Sequence, residues 1–399
     1  MQFVLTPLAL ALLALPTLCQ DLAVRAERLI TMAGPPIADG VVWIEGGKIK
    51  AVGAAGDVTL PASLPVLRAK VATPGLVDAH TVVGLAGWLN QDHDQDQLDR
   101  SSPLQPELRA IDAYNPREPL VEWLRSFGVT TIHTGHSPGA VIAGQTMIAK
   151  TAGDTVAEAV VVERAMVAAA LNEDAVGGDG KPGTRSKAAA ILRAKLLEAA
   201  NYAQKRADDE ATPRDLALEV LADVLAGELP LLITAQRARD IETALRIAEE
   251  FGFRLVLDGC AEAYLLLEEL KAANVPIIVH PTMVRAYDET ENLSLETPKL
   301  LLEAGLLVAL QSGYESYVPK TRVVLFEAAM AAAHGLAFER ALGLVTIDAA
   351  RVLGVDERVG SLEVGKDGDV ALYDGDPFES TTHCVGTVIE GVRVSAIVR

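Results

Sequence analysis

Seven histidines occur in the chain, and five fall at or just after the ends of apolar, strand-like runs or in the loop after the first such run. His80 ends TPGLVDAH, His133 and His136 lie in TIHTGHSPG, and His280 follows VPIIV. His93 sits in NQDHDQDQLD beside Asp92, Asp94, Asp96 and Asp99. Asp258 ends FRLVLD, and Glu315 follows LLVALQSG in GYESYVP. Imidazole nitrogens and carboxylate oxygens gathered at one place are the donor set of Zn²⁺ and other divalent metals. His80, His133, His136 and His280 are therefore the candidate metal ligands. A metal held by them would lower the pKa of a bound water and turn it into a nucleophile at neutral pH. Asp258 and Glu315 are the candidate catalytic acids or bases.

Each of these residues also has a plainer reading. The H-x-x-H of His133 and His136 lies on a loop and equally suits hydrogen bonding at a rim. His280, beside a proline, suits a structural role. Asp258 could cap the helix that follows it, because DGCAEAY sets an acid ahead of a helical start. The DHDQDQ run reads as a solvated acidic loop, or as a site for a metal or a cationic substrate. Cys260 has no histidine tied to it by sequence and reads as a packed thiol. Neither a G-x-S-x-G elbow nor a P-loop occurs.

These residues need elements to position them. From about residue 73 to 357 short apolar runs alternate with amphipathic ones. TPGLVDAH, VTTIHTG, LPLLITA, FRLVLDG, VPIIVHP and LLVALQSG read as strands. ALEVLADVLAGE, ARDIETALRIAEEFG, EAYLLLEELKAAN and TPKLLLEAG read as helices. Nearly all-apolar strands separated by helices predict a parallel sheet buried on both faces, and so many units favour a (β/α)8 TIM-like barrel. In a barrel the five imidazoles share one mouth. Residues 20–72 and 358–399 have a different, turn-rich texture, and together they predict one small composite β-sandwich built from both termini.

The net charge is −19, which opposes binding to a phosphate backbone, so no nucleic-acid partner is expected. A small-molecule substrate fits better, and an oligomer is possible. Residues 3–18 are apolar and uncharged but shorter than a membrane span, and polar sequence follows at once. They read as a signal peptide over residues 1–19, which predicts export to the periplasm or outside the cell. A lipoprotein reading would make Cys19 the acylated residue, and Leu18 fits that poorly. No other segment suggests a membrane span. If Cys19 leaves with the signal, Cys260 and Cys384 remain as two free thiols.

The order of motifs resembles the amidohydrolase superfamily, in particular imidazolonepropionase-like secreted amidohydrolases. DGVVWIEGGKIKAVG, PGLVDAH, GVTT at 128–131, and GLAFERALGLVTIDAARVLGV followed by GSLEVGKDGDVALYDGDP carry the resemblance, which covers nearly all of the chain without its leader. It implies a hydrolase of non-peptide carbon–nitrogen bonds, such as those of cyclic amides, acting through a metal-activated water. Zinc is the implied metal. The resemblance also marks where this chain departs. The second histidine of the His-x-His pair is Val82, the strand-five histidine place holds Thr234, the strand-six place holds Asp258, and the strand-eight aspartate place holds Gly313. Lys150 is the nearest counterpart of a carboxylated bridging lysine. Those departures support an alternative in which the barrel needs no metal or is catalytically inactive and serves as a binding or scaffold protein.

Overall fold

The computed structural model describes residues 21–178, 180–283, 285–314 and 323–399. Residues 1–20, which include the expected signal peptide, and Glu315 lie outside the described residues.

A seven-stranded sheet takes strands from both ends of the chain. The N-terminal part supplies β1 (Leu22–Leu29), β2 (Ile37–Glu45), β3 (Lys48–Ala54) and β4 (Val66–Pro74). Strands of the barrel follow: β5 (Leu76–Thr81), β6 (Val129–Thr134), β7 (Ile142–Gln145), β8 (Met147–Lys150), the short β9 (Val160–Val162), β10 (Val167–Ala170), β11 (Leu231–Ala235), β12 (Leu255–Gly259), β13 (Ile277–Val279) and β14 (Val308–Leu310). The C-terminal part then adds β15 (Val370–Tyr373), β16 (Cys384–Ile389) and β17 (Val392–Ser395) to the first sheet, in the order β17-β16-β15-β4-β1-β2-β3. Antiparallel pairing of β4 with β15 joins the two ends of the chain.

In the barrel β5 and β6 are parallel, as are β10 through β14 in sequence. A bridge between Thr81 and Gly313 brings the last strand against the first. The third stave departs from the all-parallel expectation. Residues 142–150 run backwards, β8 against β6 and β7 against β10. The stretch from β6 to β8 holds the strand β7 and no helix, and the chain returns antiparallel to β6. All six strands expected from the sequence are present. Helices fall at Leu216–Leu225, Ala238–Phe251, Leu267–Ala273 and Thr297–Glu303, within the four stretches that predict them except that the first begins one residue early.

Strand alternation builds the barrel interior. Leu232, Val256, Ile278, Ala309 and Ile148 pack in one buried cluster with Val77 and Ala79 of β5. Ala349, Ala350, Val352 and Leu353 of the helix Ile347–Leu353 join that cluster and close its lower end. The cluster is a dry floor, and whatever stands two residues further along the parallel strands faces the mouth.

Lys150 lies at the opposite end. It is buried, with Nζ 2.5 Å from Asp369 Oδ2 and 2.9 Å from Asp367 Oδ2. Burial alone would lower its pKa, but the two carboxylates outweigh it and hold the ammonium above its ordinary value. A lysine in that state is a poor candidate for carboxylation. It ties the barrel to the terminal sheet. Removing one member of a buried pair leaves uncompensated charge. Lys150→Met is expected to lose about 3 kcal/mol of stability, partly moderated by Lys48 and Arg358, which also reach Asp367. Urea denaturation checks this, and an unchanged midpoint would deny the pair that role.

Candidate functional site: a polar layer beneath the barrel mouth

Two positions beyond the floor, the parallel strands carry Thr234, Asp258, His280 and Gln311. The reversed strand carries Thr146, two residues before Ile148. His80 has the opposite parity to Val77 and Ala79. It joins the layer because the register of β5 against β6 shifts between Asp78 and Thr81.

Asp258 is the hub. Its Oδ1 lies 3.0 Å from His80 Nδ1 and accepts from Gln311 Nε2 at 2.8 Å. Its Oδ2 accepts from Thr234 Oγ1 at 2.7 Å. A carboxylate here only accepts, so the imidazole hydrogen sits on Nδ1 and the Nε2 lone pair is left basic. His80 Nε2 is buried without a hydrogen-bond partner, and so is Gln311 Oε1. Both are acceptors awaiting a donor.

Asp78 supports the layer from the side. It accepts from Ser312 N at 3.0 Å, from Ser312 Oγ at 2.5 Å and from the His80 backbone N–H at 3.4 Å. Burial is the main cause that pushes its carboxyl up to about 6, against the opposing pull of the Ser312 and His80 bonds. Gln311, Ser312 and Asp78 do not stand out from their residue types or spacing. The available signal was alternation: Gln311 stands two beyond the buried Ala309.

The four candidate metal imidazoles are not brought to one point. His133 has both ring nitrogens engaged: Nδ1 donates to the Ala79 carbonyl at 2.6 Å, and Nε2 accepts from Thr146 Oγ1 at 2.6 Å. Burial, and then neighbouring His80, pushes its pKa down to about 3, so it is neutral. His136 packs its ring on Gly144, whose φ of +141° and missing Cβ admit it: a Cβ there would meet the ring at 2.4 Å. Both of its nitrogens are buried without partners, and burial pushes it down to about 4 against the pull of Asp99. His280 donates from Nδ1 to the Pro281 carbonyl at 2.8 Å. His93 is exposed on its loop. Among the described residues no group of three or more His, Cys, Asp or Glu side chains is placed to hold a metal ion. Asp258 has both oxygens in use, His133 both nitrogens, and Val82 offers none. The donor set does not fit a family-type metal.

Above the layer a cavity of about 560 Å³ opens at the carboxyl ends of the strands. Gln236 after β11, His280 after β13 and Tyr314 after β14 line it, with Asn172 and Glu173 after β10 and Ser137 after β6. Tyr314 lines this space and also packs against His80, which does not line it, with ring centroids 5.3 Å apart and planes tilted 48°. Cys260 and Cys384 are free and buried. Burial raises the Cys260 thiol well above its ordinary value, which suits an inert side chain. No described helix is long and apolar enough to cross a membrane.

A barrel whose carboxyl face carries the polar site, joined to a sheet made from both termini, is the fold this chain shares with the relatives below. The sequence profile of the amidohydrolase family matches residues 121–395, and the chain belongs to that family. Amidohydrolase tasK of Hapsidospora irregularis is 25% identical over 376 residues, 85% of this chain but 38% of that protein, so the chain spans well under half of that relative. An imidazolonepropionase of Solibacter usitatus is 22% identical, covering 91% of this chain and 94% of its own length. Among solved structures an amidohydrolase from Thermotoga maritima superposes with a TM-score of 0.87 at 29% identity, over 94% of this chain and all (100%) of that one. An adenosine deaminase from Xanthomonas campestris with bound zinc shares the fold, with a TM-score of 0.55 at 17% identity over 94% of this chain and 92% of its own.

Proposed function

We propose that this chain hydrolyses a carbon–nitrogen bond of a small polar amide, cyclic or otherwise, with His80 and Asp258 as its acid–base pair and without a bound metal. The observation that carries the reading is the pair itself. Nδ1 of His80 is anchored on Asp258, and Nε2 is buried and unpartnered. An unsatisfied buried acceptor costs about 1–3 kcal/mol, a cost that a donor arriving with substrate would offset. In the proposed step a water donates its proton to Nε2 as its oxygen attacks the carbonyl carbon. The carbon–nitrogen bond breaks, and the imidazolium returns the proton to the leaving nitrogen. Asp258 stabilises the imidazolium while it exists.

A second reading has one observation in its favour. Tyr314 lines the cavity and buried His80 does not, so a ligand resting there touches Tyr314 and not His80. In that reading the barrel binds a small molecule and does not turn it over. We also propose export, on the apolar stretch at residues 3–18.

The test is a screen of cyclic amides and imides with protein stripped of metal by chelation, then with protein loaded with zinc or manganese. Hydrolysis that survives chelation supports the metal-independent pair. Hydrolysis that appears only on loading, with about one or two metals retained per chain, would overturn it. Binding without turnover in every condition would favour the second reading.

A further inference from the structure

The cavity over the polar layer has its own chemistry, and the acid–base pair does not account for it. Two of its lining side chains are buried acceptors without partners. Asn172 is 2% exposed and Gln97 is 7% exposed, and neither Asn172 Oδ1 nor Gln97 Oε1 receives a hydrogen bond. The orientation of Asn172 is fixed, because its Nδ2 donates to Asp174 Oδ2 at 2.8 Å. Turning the amide over would set oxygen against carboxylate. The Gln97 Nε2 is likewise used, donating to Gln95 Oε1 at 3.0 Å. What these two oxygens lack is a donor.

Charge points the same way. Asp92, Glu173, Asp174 and Glu289 line the cavity, with Arg100 as the one lysine or arginine among its described lining residues. Glu289 is already committed to Arg185 and to the Glu173 backbone N–H. Partial burial, and then the neighbouring carboxylates of Glu289, Asp288 and Asp174, hold the Glu173 carboxyl above its usual range. Negative charge is therefore in excess where the acceptors lie. Tyr287 and Tyr314 add aromatic faces to the same wall, which attract cations. A divalent metal is a poorer occupant, since the acids do not converge on one point. An anion would meet the carboxylates of Asp92, Glu173 and Asp174, which Arg100, Lys181 and Arg185 oppose only in part.

We propose that the mouth selects an organic cation rich in N–H donors, a primary amine or guanidinium compound, held by Asn172, Gln97 and the Glu173 carboxylate. As the substrate class for the hydrolysis above, it rests on that reading. As a binding preference, it stands apart from turnover.

Titration calorimetry with agmatine and with uncharged N-butylurea tests it on the full chain. Agmatine is expected to bind at least about tenfold more tightly, and its affinity to fall as salt rises. Glu173→Gln is expected to weaken agmatine about tenfold and N-butylurea far less, whereas Asn172→Ala is expected to weaken both probes, because each presents N–H donors to Oδ1. Glu173 is exposed, so its replacement leaves folding intact; thermal melting checks Asn172→Ala. Equal binding of the two probes, no binding of either, or variants without effect on agmatine would overturn the proposal. Agmatine binding without hydrolysis of any amide would sink the hydrolase reading alone. Turnover of uncharged amides with no preference for cations would sink this one alone.

Discussion

Asp258→Asn will abolish turnover by a larger factor than its small change in shape suggests, about 10³–10⁴ in kcat/KM, by analogy with the same change behind a serine-protease histidine. The reason is the direction of one hydrogen bond. The native carboxylate accepts from His80 Nδ1, which leaves the Nε2 lone pair free. An amide in its place can present its NH₂ to Nδ1. The imidazole then carries its hydrogen on Nε2, where it can no longer take a proton from water. Gln311 and Thr234 lose part of their acceptor at the same time. His80→Gln removes the base outright and belongs at the lower end of general-base effects, about 10²-fold or more. Two readouts separate chemistry from misfolding: substrate binding by calorimetry, which should persist in both variants, and the thermal melt. The pair is not the base if either folded variant keeps its rate.

The fold was legible because its information is local and repeated. Six barrel strands announced themselves as short apolar runs, and the helices between them as amphipathic ones. Two staves were not legible. Val167–Ala170 is four residues of mostly alanine, with too little side chain to make a periodic signal. The 142–150 stretch carries Gly144 and Gln145 in its middle, and its reversed direction is a property of pairing with β6 and β10. Nothing within it states which neighbours it will meet.

The candidate site was legible one residue at a time and not as a set. His80 and Asp258 stood out by type and position, and the structure joins them directly. The same reasoning placed His133, His136 and His280 at the mouth, yet spacing could not say where each ring nitrogen points. His133 turns one nitrogen to Ala79 and the other to Thr146, contacts across 54 and 13 residues of sequence. Gln311 escaped notice because an isolated glutamine after a strand has no chemistry until Asp258 is placed beside it. Glu315 lies outside the described residues, so its proposed role rests on its position after β14 alone.

Acid will unfold this protein through its buried histidines, and the direction follows from their burial. His133 is pushed down to about 3 and His136 to about 4, against 6.5 for the free side chain. Between about pH 6.5 and those lower values the unfolded chain takes up protons that the folded chain refuses. Stability therefore rises with pH across that window, is full above about 6.5, and is lost as pH falls. At 1.36 kcal/mol per unit, His133 alone accounts for about 5 kcal/mol over the whole range. Asp78 opposes part of this. Its carboxyl titrates near 6 in the fold and near 3.8 when unfolded, so the folded chain holds the extra proton between those values, and stability gains as pH falls through them. That gain is about 3 kcal/mol and ends at 3.8, close to where His136 has finished titrating, so that below it His133 alone carries the loss of stability. Urea denaturation at pH 7, 6, 5 and 4 measures the balance. His136→Leu removes a titrating ring that has no hydrogen bonds to lose, and should flatten the slope by up to about 1.4 kcal/mol per pH unit while leaving stability at pH 7 near or above wild type. His133→Gln flattens it too, but lowers stability at pH 7, because a glutamine reaches Ala79 and Thr146 with different geometry. A wild-type slope that His136→Leu leaves untouched would mean that His136 is protonated in the fold, and its packing on Gly144 would then have to be a solvated one.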